Sequence, residues 1–82
     1  MLRTVDGTRT ALPGGRLAAL TPRELEVLRL VTQGDRTTQI AQQLGITEPT
    51  VKRHLTNLYR RLDVTNRVQA ATYYVQHAPP AG

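Results

Sequence analysis

At 82 residues the chain has room for one small domain and none for a second core, while a formal charge of +5 and an isoelectric point near 10.8 favour a polyanionic partner such as nucleic acid. Cysteine and serine are both absent and His54 and His77 stand far apart, which excludes disulfides, thiolate metal sites and the usual nucleophiles; with no GxxxxGKS/T phosphate loop, neither an enzyme nor a cofactor is expected. The first residues, MLRTVDGTRT, carry charges where a signal peptide has its apolar run, and no apolar stretch approaches the roughly 20 residues of a membrane span, so the expectation is a cytoplasmic protein with no membrane partner.

Residues 1–19 mix Thr, Gly, Arg and Pro without helical periodicity. The Asp-Gly pair in VDGT can close a short hairpin from Leu2 to Thr10. A tail or interdomain linker ending in the flexible PGGR of Pro13 to Arg16 fits the composition better. From Leu20 onward the pattern becomes helical. Thr21, Pro22 and Glu24 form a capping box, T-P-x-E, and predict a first helix with Val27, Leu28 and Val31 on one stripe. Gly34 can close it in the left-handed conformation. Thr37 is expected to cap a short second helix whose apolar face is Ile40, Ala41 and Leu44, ending at Gly45. Thr47 caps a third helix, with Pro49 in its first turn and an apolar row Val51, Leu55, Leu58, Leu62. Thr65 is expected to cap a fourth, with Val68, Ala71 and Val75 as the inward stripe. The closing APPAG cannot continue a helix.

The second and third helices are joined by about three residues including a glycine, the requirement of a helix-turn-helix. Spacing alone also suits any corner of a small helical bundle, so charge must decide. At roughly 100° per residue the four apolar residues of helix three cluster within about 60°, while Arg53, Thr56 and Arg60 fall opposite them, flanked by Lys52, Asn57 and Thr50. After Glu48 the helix has no acidic residue, whereas a merely solvated helix would alternate its cations with Glu for i,i+4 pairing. Arg can read guanine in two-pronged fashion, Asn and Thr can bond base edges or phosphates, and Lys neutralises phosphate as a point charge. Arg60, two turns beyond Arg53, is placed for phosphate.

The runs LTPRELEVLRLVTQG and IAQQLGITEPTVKRHLTNLYRRLDVTNRVQAA closely resemble the LuxR-type (GerE-like) helix-turn-helix, the C-terminal DNA-binding domain of many bacterial transcriptional regulators, response regulators among them. The resemblance is carried by Leu20-Thr21-x-Arg23-Glu24-x-Glu26-Val27-Leu28, by Ile40-Ala41 and Leu44, by Thr50-Val51-Lys52-x-His54, and by Arg61-Leu62 and Asn66-Arg67. It implies an all-α fold, a four-helix bundle containing a helix-turn-helix behind a flexible N-terminal segment, divided as tail 1–19, DNA-binding domain 20–77 and C-terminal tail 78–82. It implies base contacts from Lys52, Arg53 and Thr56 in the major groove and backbone contacts from Thr50 and Asn57, with Thr37 and Thr38 at the start of helix two. Thr56 stands where some response-regulator members have lysine, and Thr38 where Asn is common.

The fourth helix is implied to pair two copies on DNA, through Gln69, Thr72, Tyr73 and Gln76. Double-stranded DNA, a second copy of the chain and RNA polymerase are therefore the candidate partners. Two other functions fit the pattern: region four of a sigma factor, and an interaction module that docks an acidic protein on the same basic face. The fourth helix, NRVQAATYYV, favours the LuxR type. Other residues have structural readings: His54 and Tyr59 as packing groups, Arg67 as a partner for Glu24 or Glu26.

Overall fold

A computed structural model describes residues 15–78. Among them are a 3-10 turn, Gly15–Ala19, and helices α1 (Pro22–Thr32), α2 (Thr37–Leu44), α3 (Glu48–Leu62) and α4 (Arg67–His77), and no strand. The Leu2–Thr10 hairpin, Pro13, Gly14 and the final prolines lie outside the described residues.

The start of each helix is a local event. At α1 the Glu24 amide donates to the Thr21 hydroxyl at 3.1 Å and the Thr21 amide to Glu24 Oε1 at 3.0 Å, closing the capping box. α2 differs from expectation, because Thr37 is its first helical residue and Arg36 takes the cap position. The Gln39 carboxamide accepts from the Arg36 amide at 2.7 Å, which satisfies the cap residue's own backbone donor, whereas a threonine cap would accept from an amide of the first turn. Thr47 caps α3 as expected, accepting from the Thr50 amide at 3.3 Å. At α4 the cap is Asn66, which accepts from the Gln69 amide at 2.9 Å; Thr65, one residue earlier, instead donates from its amide and its hydroxyl to Gln69 Oε1 at 2.8 and 3.0 Å.

Helix ends follow the left-handed residues. Gly34, with φ of +93°, closes α1 in a Schellman arrangement, the Asp35 amide reaching back to the Leu30 carbonyl at 3.0 Å. Gly45 does the same for α2, with the Ile46 amide on the Ala41 carbonyl at 3.0 Å. α3 ends on Asp63 at φ +59°, a conformation that aspartate tolerates better than most side chains.

The core is small. Val27, Leu28 and Val31 from α1, Ile40 and Ala41 from α2, and the whole row Val51, Leu55, Leu58, Leu62 from α3 are buried as the periodicity predicts, with Leu44 partly buried against them. Through these rows α1 packs on α3 and α4, and α2 packs on α3. Gly45, Ile46 and Thr47 are the whole connection between α2 and α3, so the pair is a helix-turn-helix, and Ala41 beside the turn lets the two axes approach.

Two expectations are corrected by the packing. α4 does not turn Val68, Ala71 and Val75 inward: Val68 and Val75 are 73% and 70% exposed, and Ala70 is fully buried. Ala70 wins because α4 lies close along α1, and a close helix contact selects the smallest side chain. The longer residues on that side reach polar partners on α1 and the turn after it. Tyr74 Oη accepts from Arg29 Nε at 3.3 Å, and Arg67 Nη1 donates to the Asp35 carbonyl at 3.0 Å rather than pairing with Glu24 or Glu26. The second correction concerns residues 15–19. They are no tail, since Leu17 is 7% exposed within the core and the turn is bonded to α3 and α4. At the other end Ala78 packs partly buried against the core, so the described fold reaches one residue into the segment assigned to the C-terminal tail.

Glu24 is the one buried charged residue among those described, at 2% exposure, and Arg61 supplies its counter-charge at 3.4 Å. Replacing Glu24 with alanine removes one half of the capping box and strands a half-exposed guanidinium. A loss of about 1 to 3 kcal/mol is expected, read as a lower midpoint in urea unfolding; a Glu24→Ala protein as stable as the parent would refute the assignment.

Candidate nucleic-acid interface

α3 presents two faces with no chemistry in common. Its buried row seats it against α1 and α2, and on the other side Lys52, Arg53, Thr56 and Arg60 are exposed, with Thr50 and Asn57 half-buried at the margins. Arg53 and Arg60 stand two turns apart, about 10 Å along the axis at 1.5 Å per residue. All six of these residues therefore lie on one connected strip of helix surface, as predicted.

The distribution of acidic groups sets the field over that strip. Glu24 pairs with Arg61 at 3.4 Å, Glu26 with Arg23 at 3.4 Å, and Asp63 with Arg16 at 3.7 Å. Asp35 accepts from the Gln43 amide. Glu48, at the start of α3, accepts from the Thr38 hydroxyl at 3.2 Å. Lys52, Arg53 and Arg60 form no ion pair with any described residue. Three cationic side chains thus stand together at one surface, a potential that a polyanion can neutralise.

Thr37 and Thr38 are brought to the same end of the site by the turn, but differently. Thr38 is exposed and commits its hydroxyl proton to Glu48; Thr37 is half-buried in the first turn of α2. The Thr50 hydroxyl lies 2.9 Å from that of Thr47, so Thr50 belongs to the cap cluster of α3 as well as to its rim. Arg36 was missed by sequence reasoning. It is exposed at the start of α2 and forms no ion pair with a described residue, two residues from Thr38, which bonds Glu48 at the start of α3, and it stands outside the periodic stripe of α3.

Residues 18–74 match the model of the luxR family of bacterial regulatory proteins, GerE. The chain belongs to this family. Among curated relatives it is similar to the transcriptional regulatory protein LiaR of Bacillus subtilis, 49% identical over 55 residues that cover 67% of this chain and 26% of LiaR. It is also similar to the nitrate/nitrite response regulator protein NarP of Escherichia coli, 48% identical over 59 residues covering 72% of this chain and 27% of NarP. The transcriptional activator protein CarR of Pectobacterium carotovorum is 49% identical over 70 residues, 85% of this chain and 29% of CarR. The chain thus spans about a quarter of the length of the curated relatives it matches. The family match begins at residue 18, inside the 3-10 turn and one residue after the buried Leu17.

The outward side of α4 is the second surface of note. Val68, Thr72 and Val75 lie at spacings of four and three on its exposed face, and Gln69, Thr72, Tyr73 and Gln76 share with Val68 one open depression of about 350 Å³. Tyr73 is half-buried: its hydroxyl accepts from the Arg16 amide at 2.9 Å, and its ring stacks on His77 with centroids 4.1 Å apart. Gln69 turns its carboxamide back onto Thr65. His54 and Tyr59 are half-buried on α3. Among the described residues there is no cluster of three or more His, Cys, Asp and Glu side chains able to hold a metal ion, and no helix is long and apolar enough to cross a membrane.

Proposed function

We propose that this domain reads double-stranded DNA sequence-specifically, as the DNA-binding part of a bacterial transcriptional regulator working in the cytoplasm. α3 lies in the major groove; two copies pair across α4 on adjacent half-sites. One observation carries the reading: three exposed cations of α3, free of ion pairs with described residues, stand opposite the buried row that fixes the helix. Arg53 and Lys52 read base edges, Arg with the fork that matches guanine O6 and N7. Thr56 supplies a smaller donor and acceptor beside them, and Asn57, at the margin of the strip, a contact to the DNA backbone. Arg60, Thr50, Thr37 and the newly recognised Arg36 meet phosphates, which position the helix without specifying sequence.

Thr38 acts at one remove, holding Glu48 away from the phosphates. For pairing, Val68, Thr72 and Val75 supply an apolar strip and Tyr73 and Gln76 its margin. An exposed valine pair on a helix face suits a modest interface completed on DNA better than a large obligate one.

Binding of the 82-residue chain to a random duplex and to duplexes selected from a random library, across a salt series, tests this directly. The parent protein is expected to bind both, the selected sequence more tightly. Arg60→Ala should weaken binding to every sequence about equally and lower the slope of log affinity against log salt by about one unit, since one phosphate contact releases one counter-ion. If the parent chain retards neither duplex at low salt, the basic face serves an acidic protein instead.

A further inference from the structure

The 3-10 turn Gly15–Ala19 is fastened to both helices on which the proposed DNA complex depends. Arg16 Nη1 donates to the Leu62 carbonyl at 3.2 Å and lies 3.7 Å from Asp63 Oδ2. Both acceptors belong to the end of α3, where the last carbonyls lack helical partners. The backbone amide of the same residue donates to the Tyr73 hydroxyl at 2.9 Å, on α4. Gly15 makes that approach feasible: its φ is +59°, and a Cβ there would stand 3.0 Å from Tyr73 Oη. A second tie, Arg61 Nη1 to the Ala19 carbonyl at 3.0 Å, holds the far end of the turn to α3. The two helices also pack on α1 and touch one another, and residues 63–66 join them; the turn adds a polar tie from the end of α3 to α4.

We propose that Arg16 is a positioning residue for DNA recognition, fixing the angle between α3 and α4 and so the spacing of half-sites that a pair of domains accepts. This rests on the pairing across α4 proposed above. The lever arm makes a small tilt matter. α3 has 15 residues, about 22 Å at 1.5 Å per residue, so a rotation of about 10° at its C-terminal end moves its N-terminal turn by about 4 Å. That exceeds the roughly 3.4 Å rise of one base pair, and a twofold pairing repeats the displacement in the second copy. Because a single nitrogen, Nη1, makes both side-chain contacts, a lysine ammonium at the same place can replace it.

The test uses the 82-residue chain and the two-half-site duplex it selects from a random library, with the spacer then lengthened or shortened by one and two base pairs. The parent is expected to lose about tenfold or more in affinity at each wrong spacing, as the bivalent gain disappears. Arg16→Ala and Tyr73→Phe are expected to flatten that ratio to about threefold or less, each cutting one of the two ties, and Arg16→Lys to restore it. A merely structural role would lower affinity at all spacings together, leaving the ratio intact; that result in Arg16→Ala overturns the proposal. Thermal melts accompany each variant, and if Arg16→Ala does not fold, Arg16→Gln, which removes the guanidinium without touching the pairing surface of α4, decides by the same ratio. Selection of single half-sites by the parent would instead remove the pairing across α4, and this proposal with it.

Discussion

Leu58→Ala is expected to cost about 2 to 5 kcal/mol of folding stability and to weaken DNA binding only through the fraction of protein that is unfolded. Leu58 is fully buried in the middle of the α3 row, between Leu55 and Leu62. The described core holds eleven buried apolar residues, few enough that no second layer can move in to fill the space. Its loss therefore combines the transfer free energy of the missing methyl groups with a cavity that collapses poorly. A domain of this size has about 5 to 15 kcal/mol of net stability in all, so a large share goes with one side chain. Urea unfolding measures the loss, and binding of the residual folded protein should match the parent. Leu58→Met conserves most of the volume and is expected to cost less than about 1.5 kcal/mol. A Leu58→Ala protein that melts like the parent would mean that α3 does not pack through this row.

Arg53→Ala is expected to do the reverse: full stability, and about 1 to 3 kcal/mol lost on the preferred duplex. Arg53 is exposed and forms no ion pair with a described residue, so the fold keeps its contacts when the side chain is removed. On random DNA the loss should be much smaller, because only a contact to a particular base edge distinguishes sequences. The variant should thus bind with flattened preference at one position of the site. Paired titrations on the selected and random duplexes, beside thermal melts, read both effects. Should Arg53→Ala and Arg60→Ala each bind like the parent while melting normally, the cationic face does not touch DNA.

What the sequence by itself determined depends on neighbours within a turn or two along the chain, although the caps of α2 and α4 fell one residue away from the expected Thr37 and Thr65. The Thr21–Glu24 box, the left-handed glycines 34 and 45, the Thr47 cap and the row from Val51 to Leu62 are local in this sense. Their physics is the satisfaction of terminal backbone groups and the 3.6-residue period. The charge asymmetry of α3 was legible for the same reason, since burying one stripe fixes where the opposite one points. α4 was misread because it has two stripes of helical spacing. Val68, Ala71 and Val75 form the more apolar of them, yet Ala70 faces the core. Periodicity counts apolar residues and cannot see that α1 lies too close for a valine; only the approach of two helices made that choice. Arg61 took the place by Glu24 that was expected of Arg67, and Arg67 reached the Asp35 carbonyl instead, each long side chain meeting whichever acceptor the packing brought near. The 3-10 turn was hidden most completely. Composition around PGGR reads as linker, and nothing within five residues of Arg16 explains it, since its partners Leu62, Asp63 and Tyr73 are 46 or more positions away. Contacts of that separation exist only once the helices have docked, and so tertiary structure alone decided that residues 15–19 pack with the helices and bond to the end of α3 and to α4.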